Sequence, residues 1–110
     1  MILKFNTKFM DIQKYIYNHT KAILPITGSV IGLSKERPVI ITSEGKHNFI
    51  RVQNEYISII LDSENWDKAE QSLIYEDDKK YDKITIHQFF NDGDVIERVF
   101  WFDITDCFGK

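Results

Sequence analysis

The sequence predicts an α+β fold: an N-terminal helix packed on a curved antiparallel β-sheet of about six strands, with residues 1–110 as one domain. Three observations point there. Apolar residues recur at three-and-four spacing only near the amino terminus, and from Val30 to Ile104 the pattern shifts towards alternation. Turn-forming clusters then break the chain at hairpin intervals. At 43% apolar and 28% charged residues, the chain has the balance of a folded protein, long enough to bury one core without disulfides or metal.

Asn6 or Thr7 is placed to cap a helix over residues 8–22, with Phe9, Ile12, Ile16 and Ile23 as its apolar stripe. Pro25 closes it, because proline lacks the amide hydrogen a further turn needs. The runs "SVIGL", "RPVIIT", "NFIRV" and "EYISIIL" then read as short strands joined by tight turns. "EYISIIL" is apolar on nearly every residue, which suggests a central strand whose second face the helix covers. "DSENWDKAEQ" reads as a short helix or turn carrying Trp66, "SLIYE" as a strand, and "DDKKYDK" as a charged turn.

Two long strands follow, "KITIHQFF" and "VIERVFWFDI", joined at "NDGD". Asp92-Gly93 accepts the positive φ angles of a two-residue type I′ turn, which sets Ile84 opposite Trp101, Gln88 opposite Glu97 and His87 opposite Arg98. A slip of one residue exchanges the faces. Phe100 and Phe102 share a stripe with Ile96 and Ile104 and are expected in the core, whereas Trp101 points the other way and is the better exposed anchor.

Catalytic and metal signatures are missing from the spacing. His19, His47 and His87 form no close ligand pair, and "DSENWDKAEQSL" has Asp67 and Leu73 where a calcium loop needs glycine and glutamate. Neither a cofactor nor a metal is expected. An enzyme would have to rest on His87 as base, Glu97 as acid and Cys107 as nucleophile, with no diagnostic spacing among them. No apolar run approaches the roughly 20 residues of a membrane span, and "MILKF" gives way to a polar stretch, so the sequence predicts a cytoplasmic protein with no membrane partner.

Charge is distributed unevenly. Up to Leu61 there are eight Lys/Arg against four Asp/Glu, and from Asp62 onward six against thirteen, within a net of −3. Without an Arg-rich cluster, an acidic chain is repelled by phosphate, which argues against direct nucleic-acid binding. Acidic groups on rigid turns beside an aromatic anchor suit a protein inhibitor that steers onto a basic partner. The expected contact residues are Asp62, Glu64 and Trp66 in one segment, Glu76, Asp77, Asp78 and Asp82 in the charged turn, Asp92 and Asp94 at the hairpin tip, and Trp101.

In size, acidity and an Ile/Lys-biased composition with Lys far exceeding Arg, the chain resembles the immunity proteins of bacterial toxin systems, such as those of contact-dependent growth inhibition. The resemblance spans the chain as a type, carries no motif and transfers no functional residue. It implies a partner class: a toxin domain, often a nuclease, neutralised in the cytosol by tight binding. The alternative is a small enzyme or ligand-binding domain with a pocket between helix and sheet.

Overall fold

The computed structural model describes residues 12–28 and 33–108. In order they form α1 (Ile12–Thr20), β1 (Ile26–Thr27), β2 (Val39–Ile41), a 3-10 turn at Ser43–Gly45, α2 (Phe49–Leu61), β3 (Trp66–Glu76), β4 (Lys79–Phe89) and β5 (Val95–Asp103). The α+β class is as expected, but among the described residues the sheet is mixed and has five strands, in the order β1-β2-β5-β4-β3. β3, β4 and β5 make an antiparallel meander, whereas β2 joins β5 in parallel. No described helix is long and apolar enough to cross a membrane.

Ile12 and Ile16 of α1 are fully buried, as the three-and-four spacing requires. The expected residues 8–11, Phe9 among them, lie outside the described ones, as do the caps Asn6 and Thr7 and most of "SVIGL". Lys21, with a φ of 62°, ends the helix, and Gln13 pins the returning chain by donating to the Ala22 carbonyl (3.0 Å) and accepting from the Leu24 amide (2.9 Å). Ile23, expected on the stripe, lies beyond this turn and is exposed.

The largest correction concerns "NFIRV" and "EYISIIL", which are not two strands but one thirteen-residue helix, α2. Its buried residues Val52, Gln53, Tyr56, Ile57, Ile60 and Leu61 recur four apart in two adjacent rows, which is one helical face. The run contains neither glycine nor proline to stop a helix, and its β-branched content lost to the burial that this face offers. Tyr56 stands edge-on to Phe100 and Phe102, with ring centroids 6.4 and 5.7 Å apart, and so fixes α2 to the sheet. α2 therefore supplies much of the cover that the sequence pattern assigned to the amino-terminal helix.

Both meander turns also differ from expectation. Asp77 and Asp78 have φ of 50° and 64°, with Glu76 paired to Lys79, so the two-residue type I′ turn is here. At the β4–β5 turn the Gly93 amide donates to Phe90 O (3.0 Å), the Phe90 amide donates to Asp94 O (2.9 Å), and Gly93 has a φ of 94°. That is a three-residue loop with a glycine bulge. The extra loop residue slips the register by one: Ile84 faces Phe100, Ile86 faces Arg98, and His87 faces Glu97 rather than Arg98. Ile84, Ile86, Phe100 and Phe102 consequently share the buried face, with Ile104 just beyond β5. Trp101 lies on the other face, edge-on to Tyr81 at 6.3 Å.

Of the two readings of "DSENWDKAEQ", a short helix or a turn, the turn holds for residues 62–65 and no part of the segment is helical. Trp66 opens β3, which runs through "SLIYE" with an irregularity between Lys68 and Glu70.

Candidate functional site

The end of the sheet where α2 finishes is built from two connections. α2 stops in a Schellman motif: Asp62 adopts the left-handed conformation (φ 52°, ψ 42°), its amide donates to Ile59 O, and the Ser63 amide donates to Ser58 O (3.1 Å). The chain then turns through Ser63, whose hydroxyl accepts from the Asn65 amide (2.9 Å), and enters β3. Asn65 exchanges two hydrogen bonds with the Phe89 backbone (2.9 and 3.0 Å), which docks this connection against the β4–β5 turn. Trp66 donates its indole N–H to Ser58 Oγ (2.9 Å), so the half-buried ring braces β3 against α2.

Between these two connections lies an open cleft of about 480 Å³, with Asp62, Ser63 and Asn65 on one side and Phe89, Phe90 and Asn91 on the other. A second cleft of about 430 Å³ lies along the end of α2, lined by Glu55, Ser58, Asp62, Ser63 and Glu64 among others. Asp62 and Ser63 belong to both. Asp92 and Asp94 project from the adjoining turn, where Asp92 Oδ1 accepts from the Asp94 amide (2.9 Å).

The charge at this end is uncompensated. Asp62, Glu64, Asp92 and Asp94 are all exposed, and no ion pair among the described residues includes any of them. Arg98, the nearest cation along β5, donates to Gln88 Oε1 (3.1 Å). The opposite end differs. Asp77 and Asp78 cap the β3–β4 turn there, but Glu76 is held by Lys35 at 2.7 Å and Asp103 by Lys79 at 3.4 Å. The hydrogen-bonded Glu76 carboxylate holds the Lys35 ammonium above its usual pKa. At about 3.3 Å per residue, eleven-residue β3 separates the two acidic turns by about 35 Å, several screening lengths at physiological salt.

The expected contact residues therefore do not form one surface. Asp62, Glu64, Asp92 and Asp94 come together at one end, with Trp66 behind them, while Glu76, Asp77 and Asp78 sit at the other. Trp101 is half-buried on the outer face with Lys83 Nζ 5.5 Å from its ring centre. Asp82 is a correction: it lies within β4, 3% exposed, and its Oδ2 accepts from Gln53 Nε2 (2.8 Å) and Gln71 Nε2 (2.5 Å). It faces the core because it is two residues from buried Ile84 on the same strand face. Phe89, Phe90, Asn65 and Ser58 escaped sequence reasoning, since their proximity depends on α2 being a helix.

The residues weighed for catalysis do not assemble. His87 Nε2 is 3.4 Å from Glu97 Oε1 on the exposed outer face. Cys107 follows the far end of β5, is buried, and has Sγ 3.6 Å from Ile104 O. Burial, reinforced by Asp106, Asp103 and Asp82, pushes its pKa up to about 11, which keeps the thiol protonated and unreactive near neutrality. Among the described residues no group of three or more His, Cys, Asp or Glu side chains could hold a metal ion. Compared with known protein families, curated proteins and solved structures, the chain shows no significant match.

Proposed function

We propose that the chain is a protein inhibitor of the immunity type, which binds a basic toxin domain through the acidic end formed by Asp62, Glu64, Asp92 and Asp94. The observation that carries this reading is that Asp62 and Glu64 line the two clefts while Asp92 and Asp94 stand on the turn whose Phe90 and Asn91 border one of them, all four exposed and in no ion pair among the described residues. Unpaired carboxylates raise the association rate with a cationic partner, and clefts of this size accept its lysine or arginine side chains. In a nuclease, those side chains would be the ones that otherwise hold substrate phosphate.

Asp62 adds support of another kind. The left-handed position at a helix end favours glycine, and the carbonyl end of the helix dipole disfavours a carboxylate. Asp is tolerated in the left-handed position though less favoured than glycine, but its charge opposes the helix dipole, and departures from local preference of this kind gather at functional sites. The test is binding of the purified protein to the toxin domain encoded beside it. Asp62→Asn, Glu64→Gln, Asp92→Asn and Asp94→Asn together keep the turn hydrogen bonds while removing the charge. The reading requires tight binding by the wild-type chain and much slower association by the variant. Absence of binding to any neighbour-encoded domain would return the chain to the pocket-bearing alternative.

A further inference from the structure

β3 has a single neighbour, β4, among the described strands, and it is eleven residues long. A long open edge invites another strand, and proteins guard against this with edge charges and bulges. Here the guard covers only half of the strand. Asp67, Lys68, Glu70 and the irregularity at Lys68/Glu70 protect the first half, whereas Gln71–Tyr75 ("QSLIY") carries no charge and pairs regularly with β4.

The turn geometry fixes which backbone groups are free. In a two-residue hairpin the residues flanking the turn, Glu76 and Lys79, form a hydrogen-bonded pair, and hydrogen-bonded and non-hydrogen-bonded pairs then alternate. Glu76, Ile74 and Ser72 thus bond to β4, and Tyr75, Leu73 and Gln71 direct their N–H and C=O outward. Leu73 and Tyr75 are also 42% and 64% exposed on one face.

We propose that this edge is where two copies of the chain join, antiparallel, about a two-fold axis at Leu73. In that register Gln71 faces the second copy's Tyr75 and Leu73 faces its own counterpart, so every outward group from 71 to 75 is paired. Glu70, which makes no ion pair among the described residues, falls beside the second copy's Glu76, and Lys35, 2.7 Å from Glu76, offsets part of that like-charge repulsion, which leaves the contact weak. About five residues a side is well below the 20–30 of a standard interface, so the dimer is weak and concentration-dependent. The acidic end that carries the proposed function is not part of this contact.

Sedimentation equilibrium from about 10 to 500 µM, with amide hydrogen exchange over the same range, tests the proposal. The expected result is a monomer–dimer equilibrium in which the amides of Gln71, Leu73 and Tyr75 gain protection with concentration while those of Ser72 and Ile74 are protected throughout. Leu73→Lys places two ammonium groups at the axis and should weaken dimerisation at least tenfold; Leu73→Pro removes an outward N–H and should abolish it. Circular dichroism of both variants checks that the fold persists. A wild-type chain that stays monomeric throughout overturns the proposal, as does a dimer indifferent to both substitutions or one in which Ser72 and Ile74 gain the protection instead.

Discussion

Replacing Asp82 by alanine tests the placement of a carboxylate that the sequence put in a solvated turn and the structure puts under α2. Two amides donate to its Oδ2, one from Gln53, which is fully buried, and one from Gln71, which is exposed. A hydrogen bond to a charged group contributes about 1.5–3 kcal/mol, and an orphaned buried donor costs about 1–3 kcal/mol. Gln71 can turn to water, and removal of the carboxylate relieves its own desolvation, so the loss rests on Gln53 and comes to about 2 kcal/mol. Gln53 Oε1 has no hydrogen-bond partner among the described residues, so the side chain has no other bond there to fall back on. In urea, at a slope of roughly 1.5 kcal/mol per molar, the unfolding midpoint should fall by about 1.3 M. Replacing both partners, Gln53→Leu with Asp82→Leu, should cost less than half the sum of the two single changes, because no polar group is then stranded. A loss below about 0.5 kcal/mol for Asp82→Ala, the value expected of an exposed turn carboxylate, would refute the buried network.

Phe100→Ala should cost about 3–5 kcal/mol, since the ring is 1% exposed against Tyr56, and Trp101→Ala only about 1–2 kcal/mol; reversed costs would mean the sheet faces are inverted. Asp62→Gly should raise stability by about 1 kcal/mol in thermal or urea melts, by suiting the left-handed position and removing a charge from the helix end, while slowing partner association. Alkaline stability should fall through the Cys107 thiol: folding raises its pKa from the usual 9.0 to about 11, so the contribution is full below pH 9 and lost as pH rises through 11. Cys107→Ala should flatten that part of the decline; the Tyr56 hydroxyl, whose pKa burial also raises, adds its own loss of stability in alkali.

The elements legible in the sequence were those whose signal is local. The α1 stripe at Ile12 and Ile16 and the long strands around Ile84 and Phe100 follow from periodicity; Phe100 and Phe102 are buried as expected, whereas Ile96 on the same stripe is 41% exposed near the hairpin end. α2 was illegible because "EYISIIL" is apolar on nearly every residue, and a run without polar spacing has no period to read. Its face shows only when Val52 and Gln53 are taken with Tyr56 and Ile57 across the "VQNEY" junction that looked like a turn. The hairpin register depended on whether Gly93 closes a two-residue or a three-residue loop, and "NDGD" permits both. For the site, acidity at Asp62, Glu64, Asp92 and Asp94 was visible, but their convergence was not, since it requires α2 to end where the β4–β5 turn begins. The burial of Asp82 was hidden by its neighbours Asp77, Asp78, Lys79 and Lys80, which made it look like part of a solvated run.

The measurement that bears most directly on the proposed acidic docking end is stopped-flow association with the neighbour-encoded toxin domain, at low and physiological salt. Three proteins are compared: the wild-type chain, the variant neutralised at Asp62, Glu64, Asp92 and Asp94, and one with Asp77→Asn and Asp78→Asn at the opposite turn. The four-residue variant should associate at least tenfold more slowly at low salt with most of its salt dependence gone, and the opposite-turn variant should match wild type within about twofold. Equal slowing by both variants, or no slowing by the first, would contradict docking at the acidic end.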